Sequence, residues 1–166
     1  MDDDALAALG ARLDLLESHR EIEQKIYRMG YALEAGDFDL VGELLARATF
    51  GADRIGRKAF RGRDEIAAQY RRTNITYPDR GRATRELYTN VLVDIDLAAG
   101  TARSTTAYTV AQQPPGEHPF ELLVAGRYED EWARLDGEWH WTDRYIVVQF
   151  CNDLDRHMHT GTQPYN

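Results

Sequence analysis

From Thr84 to Phe150 the chain carries four long segments of alternating apolar and polar residues, and this block limits its possible folds more than any other feature. Thr84–Asp96 and Thr101–Gln113 flank Ala98-Ala99-Gly100, Glu121–Leu135 and Glu138–Phe150 flank Asp136-Gly137, and Pro114-Pro115-Gly116 separates the two pairs. Strands joined by short turn sequences predict an antiparallel sheet, and strands this long must bend and twist to cover a core. In the first strand, period two puts Leu87, Val91, Val93 and Ile95 on one face. Glu86, Tyr88, Asn90, Leu92 and Asp94 fall on the other, so Glu86 and Asn90 face either solvent or a closed cavity.

The later strands favour the cavity. One face of Glu121–Leu135 carries Leu122, Val124, Gly126, Tyr128, Asp130 and Trp132, apolar at both ends with polar groups between, as in a pocket wall. One face of Thr101–Gln113 offers Ala102, Ser104 and Thr106, which leave room, and then Tyr108 and Val110. In the last strand Trp139, Trp141, Tyr145 and Val147 alternate with His140, Thr142, Arg144, Ile146 and Val148. A bulge there would exchange the two sets, so alternation leaves open whether Arg144 or His140 faces inward.

Helices precede the sheet. Leu6, Leu9, Leu13 and Leu16 form a stripe on a short helix over 1–17. Ser18-His19-Arg20-Glu21 has the form of a capping box and predicts a second helix, stopped by Gly36. Its buried stripe is Ile22, Ile26, Met29 and Leu33, while Tyr27, Tyr31 and Glu34 share a flank that borders a cavity or faces water. Asp37 is the expected N-cap of a helix carrying Leu40, Val41, Leu44 and Leu45, and another helix, with Ile66 and Tyr70, opens at Gly62-Arg63-Asp64.

With 166 residues and no linker or repeat, a single domain over 1–166 is expected, ending in a polar tail over 154–166. One cysteine, Cys151, rules out an internal disulfide, and an inert buried thiol is expected there. The start Met1-Asp2-Asp3-Asp4 lacks the features of a signal peptide and no apolar run is long enough to span a bilayer, so a cytoplasmic location is expected. A net charge of −8 opposes nucleic acid and anionic membranes as partners. Half of the 20 basic residues nevertheless lie between Arg54 and Arg85, where a solvated rim, a subunit contact or attraction of an anionic substrate would use them. No glycine-rich phosphate loop or metal-ligand spacing is present, so no cofactor and no metal are implied; His157 and His159 fit solvent or a subunit contact.

Four stretches carry a resemblance: Tyr31-Ala32-Leu33-Glu34-Ala35-Gly36-Asp37-Phe38-Asp39, Thr84-Arg85-Glu86-Leu87-Tyr88-Thr89-Asn90, Ala125-Gly126-Arg127-Tyr128-Glu129-Asp130 and Asp136-Gly137-Glu138-Trp139. In this order they resemble the SnoaL-like family of the nuclear transport factor 2-like superfamily. The fold implied is α+β: a cone-shaped, curved antiparallel sheet wrapped around a cavity, with three to four N-terminal helices. In the scytalone dehydratase and hexachlorocyclohexane dehydrochlorinase branches, an aspartate near the end of the first helix works with a histidine on the strand matching Thr84–Asn90. Those positions fall on Glu34 and Glu86, so the histidine is absent. The dehydrochlorinase arginine falls on Arg144, and the dehydratase asparagine falls near Tyr128. Ketosteroid isomerases of this fold keep a base close to Asp53, but offset, so that role does not carry over. The resemblance also implies homodimers or homotrimers formed through an apolar outer sheet face, and some members are noncatalytic adaptors or accessory subunits.

Two carboxylates facing each other in an apolar cavity repel, so one holds a proton while the other stays a base. Glu34 and Glu86 as that pair, with Tyr31 and Arg144, make up the expected catalytic set. Tyr27, Asn90, Tyr108, Tyr128 and Asp130 make up the expected binding set. The reaction implied is cofactor-independent lyase or isomerase chemistry on a small hydrophobic carbonyl or cyclic compound. The alternatives are a noncatalytic hydrophobic-ligand-binding protein and an epoxide hydrolase-like use of Glu34, Arg144 and Asp130 or Glu86.

Overall fold

The structure, a computed structural model, describes residues 2–51, 59–159 and 161. Asp53 and the basic residues Arg54, Arg57 and Lys58 lie outside the described residues.

Helix α1 spans Asp3–Ala35, 33 residues without a break, with the Asp2 side chain accepting from the Ala5 amide and Gly36 closing the far end in the left-handed conformation. The expected new start at Ser18 does not occur, and Ser18 is buried inside the helix. The physical reason is local: Leu13 to Arg20 contains neither glycine nor proline, and extending an existing helix costs less than nucleating a second one. The two halves of α1 differ sharply. Ile22, Ile26, Met29 and Leu33 are buried, whereas Leu6, Leu9, Leu13 and Leu16 are exposed. Helix α2 (Phe38–Leu44) is capped by Asp37, which accepts from the Leu40 amide. Helix α3 (Gly62–Thr73) buries Ile66 and Tyr70, and Tyr70 stacks on Phe38 with ring centroids 5.9 Å apart.

Six strands follow: β1 (Thr49–Gly51), β2 (Phe60–Arg61), β3 (Thr84–Asp96), β4 (Thr101–Gln112), β5 (Glu121–Leu135) and β6 (Glu138–Cys151), in the order β2-β1-β6-β5-β4-β3. All pairs are antiparallel except β1 with β6, which is parallel, so the curved, unclosed sheet is mixed. Among the described residues no helix is long and apolar enough to cross a membrane.

Bulges correct the face assignment that alternation predicts. In β3 the pairing jumps from Thr89↔Ala107 to Leu92↔Thr105, and Asn90 takes φ +49°. An extra residue reverses every side chain beyond it. Glu86 and Tyr88 therefore point inward before the bulge, and Val91, Val93 and Ile95 pack on the core after it, while Leu87, Asn90 and Leu92 face out. In β6 the pairing passes from Glu131↔Asp143 to Trp132↔Trp141, leaving Thr142 extra. Trp139 and Trp141 thus share the inner face with Arg144, which settles the register that alternation left open. Of the residues expected to make the outer face apolar, Leu87 does face out, whereas Val91, Val93, Ile95 and the two tryptophans pack in the core. Trp132 and Trp141, centroids 4.0 Å apart, close one end of it beneath α1, and the other end opens into a cavity.

Candidate functional site

The cavity has a volume of about 290 Å³. Most of its wall is apolar or aromatic: Leu33 from α1, Phe50 from β1, Phe60 from β2, Tyr70 from α3, Tyr108 and Val110 from β4, Val124 and Tyr128 from β5, and Ile146 from β6. One side is polar and is built by Asn74, Arg82, Glu86 and His157.

Arg82 reaches that side because of Gly81. Its φ is +54°, and a Cβ there would lie 2.3 Å from the Glu34 carbonyl oxygen, so only glycine lets the loop cross the end of α1 this closely. The next amide, of Arg82, then donates to the same Glu34 carbonyl at 3.0 Å. The Arg82 carbonyl accepts from Gln112 Nε2 at 2.9 Å. Held at both backbone groups, Arg82 turns its guanidinium inward, where Nη1 donates to Glu86 Oε1 at 2.8 Å and Nη2 contacts His157 Nε2 at 2.7 Å.

Glu86 is inside because, before the β3 bulge, it alternates onto the same face as Tyr88 and pairs across the sheet with the buried Val110. Its side chain is 1% exposed, and Oε2 has no hydrogen-bond partner among the described residues. Burial pushes its pKa above the ordinary carboxylate value; Arg82 pulls the other way, and Glu34 adds to the rise.

His157 belongs to the segment after β6, where solvent or a subunit contact was the expectation. It is instead buried against the cavity, and the segment is fastened to the body of the fold. The Ile75 amide donates to the His157 carbonyl at 3.0 Å, the His159 amide to the Thr73 carbonyl at 2.9 Å, and Tyr77 Oη to the Arg156 carbonyl at 2.7 Å. Leu154 and Met158 from the same segment complete the wall. Burial and then Arg82 hold the imidazole pKa well below its usual value. A guanidinium has no acceptor, so His157 Nε2 accepts from Arg82 and the ring is neutral with its proton on Nδ1. Nδ1 has no hydrogen-bond partner among the described residues.

Tyr108 and Tyr128 line the cavity and stack with centroids 4.5 Å apart, while Tyr88 meets Tyr128 edge-on at 5.5 Å. Burial raises the pKa of Tyr70 to about 12 and that of Tyr128 well above the ordinary phenol value, so these hydroxyls stay protonated. Arg144 lies 3.9 Å over the Tyr128 ring, with Nε 3.7 Å from Asp130 Oδ1. Both residues are buried, and neither is among those lining the cavity. Arg144 and Asp130 brace the tyrosine wall from behind, so the epoxide hydrolase-like set is not assembled at the cavity.

Three more expected site residues lie away from the cavity. Tyr27 and Tyr31 are 39% and 69% exposed, because the α1 flank they share points away from the sheet. Asn90 faces out because it is the bulge residue. Glu34 is close to Glu86 but is not part of the cavity wall: its Oε1 accepts from the Glu86 amide at 2.8 Å and its Oε2 from Arg85 Nη1 at 2.6 Å. Its carboxylate fixes the strand that carries Glu86 to the end of α1. His140 is half-buried and does not line the cavity, and Cys151 is exposed instead of buried.

Sequence reasoning missed Arg82 and His157. Both were visible as residues, and Gly81 beside Arg82 was a usable signal, but no periodicity marks a loop and a terminal segment that meet across 75 positions.

Solved structures share this architecture. An NTF2-like protein with a cystatin-like fold from Novosphingobium aromaticivorans superposes with a TM-score of 0.69 at 22% identity, covering 94% of this chain and 96% of that one. A candidate scytalone dehydratase from the same organism gives 0.65 at 19% identity, with 84% and 89% covered. The beta subunit of a candidate aromatic-ring-hydroxylating dioxygenase, also from that organism, gives 0.64 at 10% identity, with 84% and 94% covered. At these identities the likeness is one of fold. No curated protein matches the chain in sequence. The SnoaL-like domain profile, however, matches residues 14–145, from the middle of α1 through β6 as far as Tyr145, so the helices, the sheet and the cavity between them are those of a member of the SnoaL-like domain family.

Proposed function

We propose that the protein is a cofactor-independent lyase or isomerase that moves a proton on a small, uncharged, hydrophobic carbonyl compound, with Glu86 as the base. The observation that carries this reading is a buried carboxylate at the wall of an apolar cavity, with one oxygen anchored by Arg82 and the other without a hydrogen-bond partner among the described residues. A raised pKa makes Glu86 a better proton acceptor than an exposed carboxylate, and the Arg82 contact fixes which oxygen reacts. The cation of Arg82 and the anion of Glu86 cancel and His157 is neutral, which favours an uncharged ligand. The volume, near the lower end of small-molecule pockets, suits one or two rings.

In the proposed step Glu86 Oε2 removes a proton from the carbon next to the carbonyl. The electron pair passes into the carbonyl, and the developing oxyanion accepts from the Nδ1–H of the neutral His157, a donor without a partner among the described residues. Protonated Glu86 then either returns the proton at another carbon, completing an isomerisation, or gives it to a departing β-hydroxyl, which leaves as water. Both outcomes balance with one carboxylate, so a proton shared with Glu34 is not required.

The largely apolar wall also fits a container that binds such a compound without changing it. Turnover separates the two readings. Cyclic hydroxy-ketones and enones are incubated with the protein and with Glu86→Gln, and turnover and binding are both followed. Chemistry by Glu86 lowers turnover roughly 10²-fold or more, the scale of removing a general base, while binding persists. Binding without turnover in either protein, or full activity in Glu86→Gln, overturns the proposal.

A further inference from the structure

The first half of α1 carries a second apolar stripe that the fold leaves uncovered. Leu6, Leu9, Leu13 and Leu16 recur at intervals of three, four and three, the spacing of a coiled-coil seam. Their exposures are 57%, 52%, 53% and 66%. At about 100° per residue the stripe points almost opposite to the side on which Ile22, Ile26 and Met29 enter the core. Arg20, Tyr27 and Tyr31 continue it along the outward face of the same helix. Such a patch marks an interaction surface, and a helical segment of this length is marginal in water without one.

We propose that this face of α1 binds a second copy of the chain as a parallel, in-register pair of helices, with the two sheets held on the outer sides. In-register pairing is what the sequence favours. It sets each leucine against the same leucine of the partner, so apolar layers meet only apolar layers, and the apolar seam ends at Arg20, which meets the partner's Arg20 in a like-charged layer. It also brings Arg12, beside the seam, next to the partner's Glu17 five positions on, and the twofold axis repeats this pair. An antiparallel pair centred on the leucines would instead oppose Arg12 to the partner's Arg12, and Asp3 to the partner's Glu17. The outer sheet face is the poorer candidate, since it carries the ion pairs Arg103–Glu131 and Arg127–Glu129.

The test uses the full chain. Light scattering at micromolar concentration is expected to give twice the 19.0 kDa chain mass. Leu9→Gln/Leu13→Gln, at exposed positions where glutamine suits a helix, is expected to weaken the dimer roughly 100-fold, as loss of a hot spot does, with the sheet's thermal transition retained. Arg12→Glu weakens it, and Arg12→Glu/Glu17→Arg restores it. In a Cys151→Ser background, Leu9→Cys forms a disulfide between copies on oxidation. A monomeric wild-type protein, a dimer indifferent to the leucine pair, or a dimer that does not cross-link through position 9 overturns the proposal.

Discussion

Arg82 Nη2 and His157 Nε2 lie 2.7 Å apart, and this contact fixes the imidazole as neutral with its proton on Nδ1, because the guanidinium can only donate. It ties the segment after β6 to the loop before β3, and through Arg82 it reaches the Glu86 carboxylate.

Stability should depend on pH through His157. Its folded-state pKa lies well below 6.5, so the unfolded chain takes up the proton first, and the stabilisation is present above that value and lost as pH falls beneath it. The slope from one group is at most about 1.4 kcal/mol per pH unit. His157→Gln, which keeps an acceptor for Arg82 but cannot titrate, should remove this component, so that denaturation curves of the two proteins converge or cross between pH 7 and 5. Parallel curves would show that His157 is not neutral and buried.

Glu86 should contribute with the opposite sign. Its folded pKa is raised, so its protonated form favours the native state, and this contribution is lost as pH rises through the folded pKa. Above that pKa, Glu86→Gln should be no less stable than the wild type, and thermal melts at pH 8 check this. A large loss of stability would mean that the Arg82 pair outweighs burial.

At Gly81, alanine would need a φ of +54° and a Cβ 2.3 Å from a backbone oxygen. Gly81→Ala should cost several kcal/mol or displace the loop, the range of strained or overpacked sites. If it folds, proton-transfer activity should fall with it, because Arg82 loses its position. Unchanged melting and activity would contradict the role given to this crossing.

Asn90 tests the bulge. At φ +49°, Asn90→Gly should be tolerated, whereas Asn90→Val should cost about 1–2 kcal/mol, the penalty for a β-branched residue in the left-handed region. Neither change should alter ligand affinity, which titration with a bound enone would check, because the side chain faces away from the cavity.

The fold was legible because long alternating strands and their turns are local signals: β3 and β5 begin and end where alternation places them. Glu86, Tyr108 and Tyr128 could be placed at a cavity for the same reason. Asn90 and Thr142 were not legible as bulges, since an inserted residue leaves composition and average periodicity unchanged, and so Asn90 was assigned to the wrong face. Tyr27 and Tyr31 fall on a flank whose partner cannot be known from the helix alone. His157 was hidden more deeply, because its environment is made by Arg82, distant in sequence, and by a loop whose course depends on one glycine.

Removal of a carbon-bound proton by Glu86 can be read from hydrogen exchange. A cyclic ketone that binds the protein is held in deuterium oxide, and deuterium incorporation next to the carbonyl is followed by NMR for the wild type and for Glu86→Gln. Catalysed exchange is expected from the wild type, with a fall of roughly 10²-fold or more in the variant at similar binding. Equal exchange by both proteins, or none above the uncatalysed rate while the ketone is bound, would contradict it.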